Sequence, residues 1–136
     1  DVARALKAHG VDVIDCSSGG MTGGSIVTSG NPAKYGYQVP LAEGVRKQAD
    51  IMTMAVGLII HGDQAEEILQ SGKADLVAIG REMLNNPNWP MDAATKLGID
   101  EPYAIVPPLY GFYLEKRAQA DFGGKPSTWR TGIESS

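Results

Sequence analysis

The chain has 136 residues, 43% of them hydrophobic, with 12 Lys and Arg against 16 Asp and Glu and a formal net charge of -4. That length supports one domain with a real core, and scattered basic residues under an acidic balance leave no electrostatic footprint for nucleic acid. No apolar run approaches the ~20 residues that span a bilayer. The only cysteine, Cys16, can neither close an internal disulfide nor hold an iron–sulfur cluster, so a cytoplasmic setting is expected.

Asp1 opens the chain where a methionine would stand, and Val2, Ala5 and Leu6 already keep helical spacing, so a fragment of something longer is expected. Residues 2–9 predict the end of a helix, stopped by Gly10 just past its cap. Val11 to Cys16 follows as a short strand. Ser17 to Tyr37, rich in Ser, Gly, Thr and Asn, predicts a long loop, functional or mobile. Pro40 suits the first position of a helix on which Leu41, Val45 and Ala49 recur every fourth residue. A second strand, about Ile51 to Val56, ends at Gly57. Asp63 with Glu66 predicts a capping-box-like start to a helix that buries Ala65, Ile68 and Leu69 and ends at Gly72.

Asp75 to Ile79 is the third strand, an apolar run that predicts burial on both faces. At Gly80 the pattern changes to the helix formers Arg81-Glu82-Met83-Leu84. Asn86-Pro87 breaks the chain, and Pro90 opens a helix with Met91, Ala94 and Leu97 inward and Gly98 closing it. Beyond Ile99, Pro102, Pro107 and Pro108 interrupt regular structure. Leu109 to Ala120 predicts one short helix, and Asp121 to Ser136 a polar tail. The division expected is therefore 1–98 and 99–136.

Strands alternating with helices make the fold class α/β with a parallel sheet, either a (β/α)8 barrel or an open doubly wound sheet. The strand entrances echo one another: Gly-Val-Asp-Val-Ile, Ala-Asp-Ile-Met and Ala-Asp-Leu-Val, each with an acid before its apolar run. Ligands bind such folds at the carboxyl ends of the strands, where Ser17-Ser18, Val56-Gly57 and Gly80-Arg81 arrive. A strand that turns through Gly80 into a helix aims free N–H groups at one point, and Arg81 adds a fork of donors suited to phosphate. Arg81 equally suits capping of a surface helix or pairing with Glu82. Gly57 suits either close approach of a ligand oxygen or a plain strand end.

Five stretches carry a resemblance. They are Val-Asp-Val-Ile-Asp-Cys-Ser-Ser-Gly, Tyr-Gly-Tyr-Gln-Val-Pro-Leu-Ala, Ala-Val-Gly-Leu-Ile, Ala-Glu-Glu-Ile-Leu and Ala-Asp-Leu-Val-Ala-Ile-Gly-Arg-Glu-Met-Leu-Asn-Asn-Pro. In order and spacing, over roughly residues 1–117, these resemble the C-terminal part of old yellow enzyme-type flavoproteins. The resemblance implies strands six, seven and eight of a (β/α)8 TIM barrel in an FMN-dependent NAD(P)H oxidoreductase, an ene-reductase passing hydride to an electron-poor alkene or similar acceptor. It places the FMN phosphate contacts on Gly80 and Arg81, with backbone help from Val56 and Gly57. Charge and hydropathy lead to the expectation of no nucleic-acid or membrane partner, and a homo-oligomer is expected for the parent.

The departures bound that expectation. The family's flavin-tuning Cys or Thr, its substrate-binding His/His or His/Asn pair and a nearby Tyr lie in strands this chain does not carry, so no catalytic residue is assigned. His9 and His61 are expected to be solvent-facing or capping, and Cys16 a small buried hydrophobe. Ser17 and Ser18 suit the pocket floor or their own loop backbone. The segment from Tyr110 to Arg117 resembles a C-terminal extension that in some subgroups reaches a neighbouring active site. Tyr113 would be its aromatic, while Phe112 stands where one subgroup has Arg. Packing of Phe112 and Tyr113 on their own barrel is the alternative. The rival functions are another phosphate-binding (β/α)8 enzyme acting on a sugar phosphate, and a non-catalytic phosphate- or partner-binding chain.

Overall fold

The computed structural model describes residues 1–19 and 34–120. The chain divides into two compact units, Asp1–Leu97 and Gly98–Ser136. Most of the expected long loop and all of the expected polar tail lie outside the described residues.

The first unit runs α1 (Val2–Ala8), β1 (Val13–Cys16), α2 (Val39–Ala49), β2 (Met52–Ala55), α3 (Gly62–Gln70), β3 (Leu76–Val77), α4 (Arg81–Asn85) and α5 (Trp89–Lys96). The three strands form one parallel sheet in the order β1-β2-β3. Ile14 pairs with Thr53, Cys16 with Ala55, and Ala55 in turn with Val77. Because side chains alternate along a strand, these residues share one face. On that face α2 and α3 pack through Val39, Ala42, Ala65 and Ile68. The small side chains of Ala42 and Ala55, both fully buried, let helix and sheet approach closely.

Local chemistry explains the helix ends. At α1, Val11 N–H donates to Leu6 O at 3.1 Å and Gly10 N–H to Lys7 O at 3.0 Å. At α3, Lys73 and Gly72 repeat the pattern on Ile68 and Leu69. Both are six-to-one caps that need a left-handed residue, and Gly10 (φ +89) and Gly72 (φ +69) supply it. Two of the acids at the strand entrances have a shared use. Lys7 at the end of α1 pairs with Asp50 at 2.9 Å. Arg46 near the end of α2 grips Asp75 through Nε at 2.9 Å and Nη2 at 3.0 Å, and Asp75 also accepts Thr53 N–H. In both cases a basic residue on one helix holds the entrance of a strand one unit further along.

Several expected faces are corrected. β3 is two residues long rather than five, although Asp75 N–H and Ala78 N–H extend its ladder to Thr53 O and Ala55 O. Leu76 is 45% exposed, because β3 is an edge strand and Leu76 lies on the sheet face opposite the helices, with Met52 and Met54. On α2 the buried stripe is Val39, Ala42 and Ala49, with Pro40 in the first turn and Leu41 turned outward. On α3 there is no Asp63–Glu66 capping box. His61 is the N-cap and makes no side-chain cap bond. Gln64, three residues on, instead reaches back to Ile60 N–H at 3.0 Å. Leu69 is only half-buried. On α5 the inward residue is Ala93, not Met91, Ala94 or Leu97, because α5 meets α3 at Gly62.

In the second unit α6 (Pro108–Gln119) starts on the proline that cannot continue an upstream helix. Gly111 is its buried residue, packed against Tyr103 O.

Candidate phosphate cleft

The ends of β2 and β3 open into a cleft of about 330 Å³. Val56 and Gly57 enter it directly from β2, and Gly80 and Arg81 from β3. A parallel sheet puts these carboxyl ends side by side, so four residues more than twenty positions apart in pairs share one wall. Gly80 caps α4 through Met83 N–H at 3.0 Å. With five residues, α4 carries a small dipole. Attraction for an anion would therefore rest on backbone N–H groups and the Arg81 guanidinium. Arg81 is exposed, and among the described residues it has no ion-pair partner, Glu82 included.

The loop between β2 and α3 is held in an unusual shape. Gly57 has φ +114 and Leu58 φ +51, two successive residues in conformations that L side chains rarely adopt. Strain of that kind persists only where the surroundings enforce it. Gln64 Nε2 donates to Leu58 O at 2.9 Å while its Oε1 takes Ile60 N–H. Trp89 Nε1–H closes the far end on Ile60 O at 2.7 Å.

Tyr37 and Gln38 also line the cleft, packed against Gly57. A Cβ built on Gly57 would lie 3.1 Å from Gln38 Cγ and 3.1 Å from Tyr37 Cε1. Gly57 is thus required by its own backbone and by these two side chains, which the spacing argument did not include. Gln38 is 5% exposed. It accepts Ser18 N–H, 20 residues back, and donates Nε2–H to the Tyr37 hydroxyl at 3.2 Å. Of the residues sequence reasoning missed, Trp89 had a signal. An indole flanking a helix start needs an acceptor for its N–H when it is half-buried. Gln64 and Gln38 had none, since their partners are set by tertiary contact.

The other candidates lie elsewhere. Ser17 and Ser18 do not line the cleft. Burial, and after it the Asp15 carboxylate, pushes the Cys16 thiol up, which leaves it a protonated, buried side chain. His9 caps α1 with Nδ1 2.8 Å from Ala5 O, and His61 meets the Tyr35 ring edge-on at 5.5 Å. Among the described residues no group of three or more His, Cys, Asp or Glu is placed to hold a metal ion. None of their helices is long and apolar enough to cross a membrane. In the second unit Phe112 and Tyr113 stack edge-to-face at 5.4 Å, with Lys116 Nζ 5.7 Å from the Phe112 ring centre.

The sequence profile of the NADH:flavin oxidoreductase / NADH oxidase family matches residues 1–99. An NADPH dehydrogenase of Halalkalibacterium halodurans is 53% identical over 97 residues, 71% of this chain and 27% of its own length. One from a Geobacillus strain is 52% identical over 100 residues, with the same coverage. One from Bacillus subtilis is 48% identical over 103 residues, 76% of this chain and 29% of its own length. The chain therefore spans a little over a quarter of these curated relatives. It belongs to the NADH:flavin oxidoreductase / NADH oxidase family.

Proposed function

We propose that this chain is the part of an FMN-dependent NAD(P)H oxidoreductase of the old yellow enzyme kind that grips the cofactor's phosphate. In this reading β1, β2 and β3 are strands six, seven and eight of a (β/α)8 barrel. Bound FMN supplies the hydride-carrying ring, with NADPH or NADH as reductant and an electron-poor alkene or similar acceptor. The reading also carries a cytoplasmic location and a homo-oligomer.

The observation that carries it is the meeting of Val56, Gly57, Gly80 and Arg81 on one cleft. The fit to a phosphate monoester is physical. A Cβ at Gly80 would meet no described protein atom within 4 Å, so the space beside that glycine is open to a ligand. Arg81, with no ion-pair partner among the described residues, brings a planar fork of donors to the same opening. The chemistry these residues perform is binding and orientation. Backbone N–H groups and Arg81 hold a dianion at the strand ends, which fixes where the rest of a bound molecule must point.

The test is Arg81→Ala in the holo-protein. Charge-assisted hydrogen bonds contribute roughly 1.5–3 kcal/mol, so FMN affinity is expected to fall about 10- to 100-fold. Riboflavin, which lacks the phosphate, should bind both proteins equally. Unchanged FMN affinity would refute the assignment.

A further inference from the structure

We infer that the Tyr37 hydroxyl is a further donor to the cofactor's phosphate, and that Gln38 is the positioning residue that turns its proton into the cleft. The inference rests on the phosphate reading of the cleft and adds a side chain to it.

The direction of the amide settles the argument. Ser18 N–H is an obligatory donor, so the Gln38 atom facing it must be the carbonyl oxygen. The Gln38 NH2 group then faces Tyr37, and its N–H donates to the phenolic oxygen at 3.2 Å. A tyrosine hydroxyl whose oxygen already accepts still has one proton to give. Among the described residues no acceptor takes it. Tyr37 lines the cleft with Gly57, Gly80 and Arg81, so the cleft is where an acceptor oxygen would meet it. Gln38 itself has no freedom to turn the amide over. It is 5% exposed, and reversal would set its NH2 against Ser18 N–H.

The arrangement also accounts for Gly57. A Cβ there would lie 3.1 Å from the Tyr37 ring edge and from the Gln38 stem, so its absence lets both side chains pack against the end of β2. Phosphate oxygens accept several hydrogen bonds at once, and a neutral O–H beside a guanidinium adds one without adding repulsion. Donation into the phosphate also polarises the Gln38–Tyr37 bond, so the two side chains act as one chain of donors.

The experiment is a set of flavin affinities for Tyr37→Phe, Gln38→Met and the double variant in the holo-protein, with phosphorus NMR of bound FMN. Tyr37→Phe keeps the ring beside Gly57 and removes only the hydroxyl. FMN affinity is expected to fall about 10-fold, with riboflavin affinity unchanged and the phosphorus resonance displaced. Gln38→Met should weaken FMN binding in the parent and have little further effect in the Tyr37→Phe background, because its role runs through the hydroxyl. FMN affinity within twofold of the parent for Tyr37→Phe, with an unmoved phosphorus resonance, overturns the inference. Arg81→Ala measured alongside separates the two possible failures. If Arg81→Ala loses FMN and Tyr37→Phe does not, only the hydroxyl's role falls. If neither loses FMN, the phosphate lies elsewhere and both readings fall.

Discussion

Gly57→Ala is the sharpest test of how the cleft wall is built. Two costs arise at that position, and they can be separated. The first is backbone strain. At φ +114 an alanine occupies a region that L side chains rarely enter, at about 1–3 kcal/mol. The second is crowding. The new Cβ would stand 3.1 Å from Gln38 Cγ, 3.1 Å from Tyr37 Cε1 and 3.2 Å from Gln38 Cβ. Carbon pairs prefer roughly 3.5–4.0 Å, so these atoms must retreat by several tenths of an ångström. Overpacking of that kind costs about 1–3 kcal/mol. Gly10→Ala supplies the control, since Gly10 has φ +89 and open space around a built Cβ, and so incurs strain without crowding. Chemical unfolding of both variants and the parent gives the comparison, with FMN affinity measured on the same samples. Gly57→Ala should be more destabilising than Gly10→Ala by the crowding cost, and it alone should weaken FMN binding, because Tyr37 and Gln38 are the atoms displaced. Equal destabilisation by the two substitutions would refute the packing argument. Intact FMN affinity in Gly57→Ala would refute the link between that packing and the site.

Gly62→Ala should destabilise by about 1–3 kcal/mol, because its Cβ would lie 2.9 Å from Ala93 Cβ and 3.1 Å from the Ala93 backbone, forcing α3 and α5 apart. Adding Ala93→Gly should recover part of the loss in the unfolding midpoint, and no recovery would mean the contact is not the cause. Asp75 is held below the ordinary carboxylate value of 3.8 first by its hydrogen bond from Arg46 and then by Thr53 N–H. A folded-state value below the unfolded one means its stabilisation is complete above about 3.8 and is lost as pH falls through the lower folded value. Asp75→Asn should therefore lower the unfolding free energy at neutral pH and converge with the parent in acid. Parallel curves throughout the acid range would show that the carboxylate charge is not what the position uses.

The fold was legible wherever its causes are local. Gly10 and Gly72 are read as helix stops from neighbouring residues, and the six-to-one caps they form involve only residues within a few positions. The alternation of strands and helices needed only hydrophobic pattern and turn chemistry, and it led to the parallel three-stranded sheet. The inward faces were harder. On α2 the choice between Leu41 and Ala42 depends on which stripe meets the sheet, and the fully buried residue is the smaller one. Hydrophobic size points to Leu41, but close approach of helix to sheet selects Ala42. The same preference for a small contact residue moved the inward face of α5 to Ala93, opposite Gly62.

The cleft divides along the same line. Val56, Gly57, Gly80 and Arg81 sit within a few residues of the ends of two strands, so the rule that parallel strands gather their carboxyl ends at one edge brings them together. Tyr37 and Gln38 stand at the entrance of α2 and belong to the cleft only through contacts across the fold, with Gly57 on one side and Ser18 on the other. No periodicity encodes such contacts. The uncovered sheet face shows the converse case, where pattern carries more than the described chain uses. Met52, Met54 and Leu76 alternate with the residues that meet the helices, and for Asp75 to Ile79 the apolar run led to the expectation of a strand buried on both faces. Met52 is 50% and Leu76 45% exposed. Parallel sheets are covered on both sides in stable domains, and under the barrel reading this face is the barrel interior. Their residue types suit that packing, which is why the pattern pointed to burial that the described residues do not provide.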